Sequence, residues 1–243
     1  MKAISKAGEQ VKEPWWVEYA RSFFPILLIV LILRSFLVEP FRIPSGSMRP
    51  TLLEGDFIVV NKYAYGLRLP GSGTKVFSVG DPKRGDVIVF KHDKNGESMD
   101  MIKRVVGLPG DHIQYKNQTI YINDVPVKKD FKMEKEDSDM HGMKTLVREF
   151  TEQLGDVKHP IFVHANPSLF SHYPYDDVIV PAGSYFAMGD NRDNSGDSRV
   201  WGFVKDEDIQ GRAFGVWMSW DSLENSWLPW NKIRWHRLMT GIP

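Results

Sequence analysis

No cysteine occurs among the 243 residues. A disulfide framework, a thiolate zinc site and a cysteine nucleophile are therefore excluded, while the redox compartment stays open. Neither charge sign is in surplus, with 31 Lys and Arg against 31 Asp and Glu. That balance speaks against a nucleic-acid partner, because phosphate recognition rewards a basic face. Internal repeats are lacking, and so is helical periodicity beyond the N-terminus. Long apolar runs are lacking too, except for one that covers Phe23 to Leu33. No small-x-small site follows it in Arg34-Ser35-Phe36-Leu37-Val38-Glu39-Pro40, so the run does not read as a removable leader.

That run is preceded by Trp15, Trp16 and Tyr19, amphipathic rings of the kind that sit at a headgroup boundary. Its strict core is shorter than the ~20 apolar residues a spanning helix needs. Counted from Trp16 to Val38, with Arg21 and Arg34 snorkelling to opposite surfaces, it is long enough. The expectation is a tail over 1–14 and one transmembrane anchor over 15–38, the alternative being a buried core helix. Lys2, Lys6 and Lys12 favour a cytoplasmic N-terminus, with the bulk of the chain on the outer side of the membrane. At the other end, Trp217, Trp220, Trp227, Trp230 and Trp235 fit either packing or contact with a lipid interface.

Between these ends the sequence breaks into short β-branched and aromatic runs. They are Phe57–Val60, Val87–Phe90, Met101–Val106, Ile113–Tyr115, Thr119–Ile122, Val178–Val180 and Tyr185–Met188, punctuated by Gly, Pro, Asp and Asn. The expected fold is mainly β: an antiparallel β-sheet body over 39–127 and 177–243, a smaller inserted β lobe over 128–176, and one N-terminal transmembrane helix ahead of both. Lys128 to Lys144 is charged and reads as an exposed loop or the edge of that lobe. His159, His164 and His172 fit no familiar zinc spacing, so neither metal nor cofactor is expected.

Three stretches carry candidate chemistry. In Ile43-Pro44-Ser45-Gly46-Ser47-Met48-Arg49-Pro50-Thr51-Leu52, Gly46 frees the backbone and Pro50 fixes φ, so the turn can present a hydroxyl. A serine hydroxyl attacks only when a base takes its proton, and none of the seven histidines has a setting that suggests a triad. Lysine can serve if desolvation lowers its pKa by about two units from ~10.4. Lys103 stands among Met101, Ile102, Val105 and Val106, sharing a strand face with Met101 and Val105 while Arg104 points the other way. The competing reading is an edge-strand lysine that discourages aggregation. The third stretch runs from Gly189 to Arg199. It fails as a calcium loop because the terminal acidic ligand would fall at Gly202. A tight Asx-rich turn stapled by Asp–Arg pairs fits better, and it can hold a hydroxyl such as Ser195 against a buried amine.

At these residues the chain resembles the bacterial type I signal peptidases, a Ser-Lys family. The matching blocks, in order, are Ser35 to Phe41 after the apolar run; Pro44 to Met48 with Pro50-Thr51-Leu52; Ile102 to Asp111; and Gly189 to Ser195 with Asp197-Ser198-Arg199. The resemblance implies a membrane-bound serine endopeptidase whose partners are secretory preproteins and the lipid bilayer, without nucleic acid or metal. It implies Ser47 as nucleophile and Lys103 as general base. Ser45 and the Ser47 N–H would form the oxyanion hole, Ser195 would orient the amine, and Asp197 and Arg199 would brace that turn. Phe41, Ile43, Pro44, Leu52, Met101 and Ile102 would line pockets for the small residues of an Ala-x-Ala site. The inner membrane, spanned once, is the implied location. Two other readings compete: a Ser-Lys hydrolase of the self-cleaving repressor type, and a non-catalytic tethered β module with an exposed, charged Lys103.

Overall fold

Alternation with a period of two builds the body. In β2 (Asp56–Asn61) every second residue is buried, so Ile58 and Val60 enter the core while Phe57, Val59 and Asn61 face outward. The computed structural model describes residues 15–32, 38–68, 75–94, 96–139, 142–166, 175, 177–221, 224 and 226–243. After helix α1 (Trp15–Ile32) come β1 (Val38–Arg42), β2, β3 (Gly66–Arg68), β4 (Lys75–Ser78), β5 (Val87–Lys94) and β6 (Glu97–Gly107). Next are β7 (His112–Lys116), β8 (Thr119–Ile122), β9 (Val125–Pro126), β10 (Lys129–Ser138), β11 (Lys144–Leu154) and β12 (Val157–His164). The chain closes with β13 (Asp177–Ile179), β14 (Ser184–Met188), a short α2 (Ser198–Trp201), β15 (Val204–Lys205), β16 (Ile209–Ser219) and β17 (Thr240–Gly241).

The main sheet runs β1-β2-β16-β5-β6-β14-β15, with β17 paired to β16, and its neighbours are antiparallel. A four-stranded sheet, β13-β7-β8-β9, packs against the β6–β14 end through Val106, Ile113, Ile120, Phe186 and Met188. β10-β11-β12 forms a separate three-stranded antiparallel sheet. The chain is therefore mainly antiparallel β, as the alternation predicts.

The anchor expected over 15–38 overlaps α1, whose 18 described residues include Glu18 and Arg21. Among the described residues no helix is long and apolar enough to cross a membrane. Residues 1–14 and 33–37, with the tail and the end of the expected span, lie outside the described residues, as does His172. Of the two readings of Lys128 to Lys144, a loop or an edge, the described residues favour the edge: β10 covers most of the stretch as the outer strand of its sheet, with Lys135–Glu149 and Arg148–Glu134 ion pairs across to β11. Lys103 is not on an edge, because β6 is flanked by β5 and β14.

Candidate active site

The turn that follows β1 is pinned at both ends before its serines are placed. Ile43 exchanges backbone hydrogen bonds with the β2 side, its N–H donating to Asp56 O (2.8 Å) and its carbonyl accepting from Gly55 N–H (3.0 Å). Met48 and Leu52 are fully buried with Ile43 and Ile58, and Leu52 N–H donates to Met48 O. Apolar burial on either side thus fixes a 3₁₀ turn, Gly46–Met48, which leaves Ser47 half-buried at the surface and Ser45 exposed. A Cβ at Gly46 would press on the side chains of Glu54 and Arg49, which would have to shift.

Lys103 approaches from the sheet. Its Nζ lies 2.8 Å from Ser47 Oγ and 2.9 Å from Ile102 O. The residue is 3% exposed. Burial pushes the amine down to about 8, against the opposing pull of Asp197 and Asp190, while Arg199 adds to the lowering. An ammonium is penalised where water is excluded, so the neutral amine becomes accessible close to neutral pH. The next residue, Arg104, is fully buried as well. It grips Asp190 through Nε (2.9 Å) and Nη2 (2.8 Å), and donates to Gly85 O and Pro243 O. β6 is therefore closed to solvent on both faces at this level, not on the Lys103 face alone.

The Gly189–Arg199 segment packs beneath. Asp197 caps α2 and holds Arg199 through Nε (2.9 Å) and Nη2 (2.8 Å), while also accepting from Gly189 N–H (3.0 Å). Burial alone would raise Asp197, but Arg199 and the Gly189 N–H hold its carboxyl below the usual range. Arg199 lies 4.7 Å over the Tyr115 ring and donates to Arg192 O. Ser195 departs from its expected role. Its Oγ is buried without a hydrogen-bond partner among the described residues, set against the Cα of Gly189. Ile102 O takes the second contact of the Lys103 amine instead.

The six expected substrate-binding residues divide. Phe41 and Ile102 pack half-buried against the cluster that contains Ile43 and Leu52, and Pro44 is exposed. Leu52 has no exposed surface and supports this region from below. Met101 lies on the face of β6 opposite Ile102, packing with the cluster of Val105 and Phe90. Among the described residues no group of three or more His, Cys, Asp and Glu is arranged to hold a metal ion.

At this site a hydroxyl and a desolvated amine stand in contact. Residues 16–220 match the family model for signal peptidase, peptidase S26. The chain belongs to the signal peptidase family. It is a serine peptidase, a hydrolase of peptide bonds. It is 50% identical over 229 residues to Signal peptidase I of Pseudomonas aeruginosa, covering 90% of this chain and 78% of that one. It is 39% identical over 239 residues to Signal peptidase I of Buchnera aphidicola subsp. Schizaphis graminum, covering 85% and 76%. A crystal structure of a signal peptidase I from Enterococcus faecalis V583 aligns at 27% identity and a TM-score of 0.33, over 56% of this chain and 98% of that one.

Around the serine this peptidase carries residues that the motifs alone did not single out. Asn191 donates from its backbone N–H to Ser47 O (3.0 Å) and from Nδ2 to Gly46 O (3.1 Å). Behind it, Glu152 on β11 pairs with Arg192, and both are buried. His159 on β12, 1% exposed, sits 3.4 Å from Glu152 and 3.6 Å from Asp190, and burial pushes its pKa down. Thr51 adds a hydrogen bond to Asp190. Local sequence carries a signal for the polar block but none for the partners, which come from β11 and β12.

Proposed function

We propose that this peptidase removes N-terminal signal peptides from secretory preproteins, cutting after an Ala-x-Ala-like site with Ser47 as nucleophile and neutral Lys103 as general base. The observation that carries the reading is the 2.8 Å approach of the buried Lys103 Nζ to Ser47 Oγ. With a pKa of about 8, about a tenth of the amine is neutral at pH 7. The neutral amine accepts the Ser47 proton as Oγ adds to the scissile carbonyl. The ammonium then returns that proton to the departing amine, leaving an acyl-enzyme on Ser47. Lys103 next deprotonates a water that hydrolyses the ester and regenerates the hydroxyl.

The tetrahedral oxyanion would be held by the Ser47 N–H and the exposed Ser45 hydroxyl, the hole the family likeness implies, each donor contributing about 3–4 kcal/mol. Asp197 and Arg199 brace the segment against which the amine is packed. Phe41, Ile43, Pro44 and Ile102 offer apolar surface beside the turn, where small side chains would be selected sterically. We assign the segment 15–38 to anchorage in the inner membrane, spanning it once with the N-terminus cytoplasmic and the catalytic domain outside. α1 leaves Trp15, Trp16, Phe23, Phe24 and Leu27 exposed, surface suited to lipid.

The experiment is incubation of detergent-solubilised protein with a precursor carrying Ala-x-Ala, with mass spectrometry of the new N-terminus. Cleavage directly after the second small residue is expected. Ser47→Ala and Lys103→Ala should each lower the rate by at least about a thousandfold while remaining folded. Wild-type rates in either variant, or a cut elsewhere, count against the reading.

A further inference from the structure

The two peptide groups that flank the nucleophile share one partner. Gly46 O accepts from Arg49 N–H (3.1 Å), the bond that closes the 3₁₀ turn, and from Asn191 Nδ2 (3.1 Å). Ser47 O accepts from Asn191 N–H (3.0 Å). A trans peptide is planar, with its C=O and N–H pointing in opposite directions. Fixing Gly46 O therefore fixes the direction of the Ser47 N–H at the far end of the same plane, aimed away from Asn191. Fixing Ser47 O does the same for the plane on the other side of the nucleophile.

We propose that Asn191 is the positioning residue of the oxyanion hole, a two-point clamp that aims the Ser47 N–H at the reacting carbonyl oxygen. This rests on the proposed function above, which makes that N–H an oxyanion donor. Asn191 is itself immobilised from the three-stranded sheet. It is 3% exposed and forms a parallel bridge to Phe162 on β12, with Phe162 N–H donating to Asp190 O and Arg192 N–H donating to Phe162 O, each at 2.9 Å. The buried Glu152–Arg192 pair joins the same segment to β11. The inserted strands thereby hold Asn191 against a turn more than a hundred residues away in sequence. The contacts of Asn191 with the turn are to Ser47 O and Gly46 O, not to Ser47 Oγ, so its effect passes through the Ser47 peptide.

The test uses Asn191→Ala, which keeps the backbone bond to Ser47 O and deletes the Nδ2 bond to Gly46 O. An oxyanion donor displaced by a fraction of an ångström should lower kcat by about 10- to 100-fold. KM should stay within about twofold, since ground-state contacts are intact. A peptide aldehyde ending in the Ala-x-Ala sequence adds Ser47 Oγ to its carbonyl carbon, and the hydroxyl proton passes by way of Lys103 to the new alkoxide. Its affinity should fall by the same factor as kcat/KM. The matching peptide alcohol, which forms no such adduct, should bind as it does to wild type. The acid limb of the pH profile should not move, because Lys103 is untouched.

A folded variant with wild-type kcat overturns the inference, as does equal weakening of the aldehyde and the alcohol. Asn191→Ser, whose hydroxyl is too short to reach Gly46 O, is judged by the same ratio should the alanine variant fail to fold. Ser47→Ala separates the two levels. If it cleaves normally, the nucleophile assignment falls. If it is inactive while Asn191→Ala is unimpaired, only the clamp is lost.

Discussion

Gly189→Ala adds one carbon at a crowded point of the site. The new Cβ would stand 2.6 Å from Ser195 Cβ and under 3.0 Å from both Ser195 Oγ and Ser47 O, where ordinary contact begins at 3.4 Å. The shortfall to the Ser195 carbon alone is 3.4 − 2.6, or about 0.8 Å. Gly189 does not lie in the positive-φ region, so the effect is steric and not conformational. Ser47 O cannot yield cheaply, because it accepts from Asn191 N–H, and Gly189 N–H is itself held by Asp197. The displacement therefore falls on the nucleophile turn or on the Ser195 segment. A misplacement approaching 1 Å lowers catalysis by about a hundredfold. Overpacking of this kind destabilises by about 1–3 kcal/mol, and each kcal/mol lowers Tm by about 2–4 °C in a chain of this size. The assay is kcat/KM on an Ala-x-Ala precursor, paired with a thermal melt. Activity within about twofold of wild type, in a protein that melts normally, would refute the close packing of Gly189 on Ser47.

Glu152→Gln removes the charge that neutralises buried Arg192, and leaving such a cation unpaired should cost about 3–5 kcal/mol in urea unfolding. Unchanged stability would show that the pair does not hold the segment in place. The same pair gives an acid signature. Burial would raise Glu152, but Arg192 and His159 hold it down at about 2, from an ordinary 4.5. Its stabilisation, about 3 kcal/mol, should be fully present above about pH 4.5 and disappear as pH falls toward 2, a slope absent from Glu152→Gln. Lys103→Met should be inactive yet more stable than wild type. The amine pKa falls from 10.5 to about 8 on folding, so the charged form opposes folding at neutral pH. Replacing it should gain about 1–3 kcal/mol at pH 7, a gain that shrinks as pH rises from 8 toward 10.5. A destabilised Lys103→Met at pH 7 would contradict the desolvation argument.

Ser47 and Lys103, which the structure brings to 2.8 Å, were legible as candidates from local signals: a hydroxyl between Gly46 and Pro50, and an amine among Met101, Ile102 and Val105. The seven β runs were legible for the same reason, since alternation and turn residues are local signals. β10 was not, because its side chains are mostly exposed and charged, which reads as solvated loop. β16 was not, because Gly211 and Gly215 interrupt its alternation, although Gly211 is required where the strand crowds Asn61 O. Arg104 gave no sign of burial, because its neutralising partner, Asp190, lies 86 residues away. Asn191 and Glu152 escaped for the same reason, their roles being set by contacts between β12, β11 and the serine turn.

The most direct test is to titrate one nitrogen. Selective ¹⁵N labelling of lysine, with the Lys103 Nζ resonance assigned by its loss in Lys103→Met, would follow that amine by NMR in the folded, detergent-bound enzyme. A midpoint of about 8, well below the 10.5 of an unperturbed lysine, is the predicted result. A midpoint close to 10.5 would contradict the account, because the amine beside Ser47 would then be charged at every pH where the peptidase works.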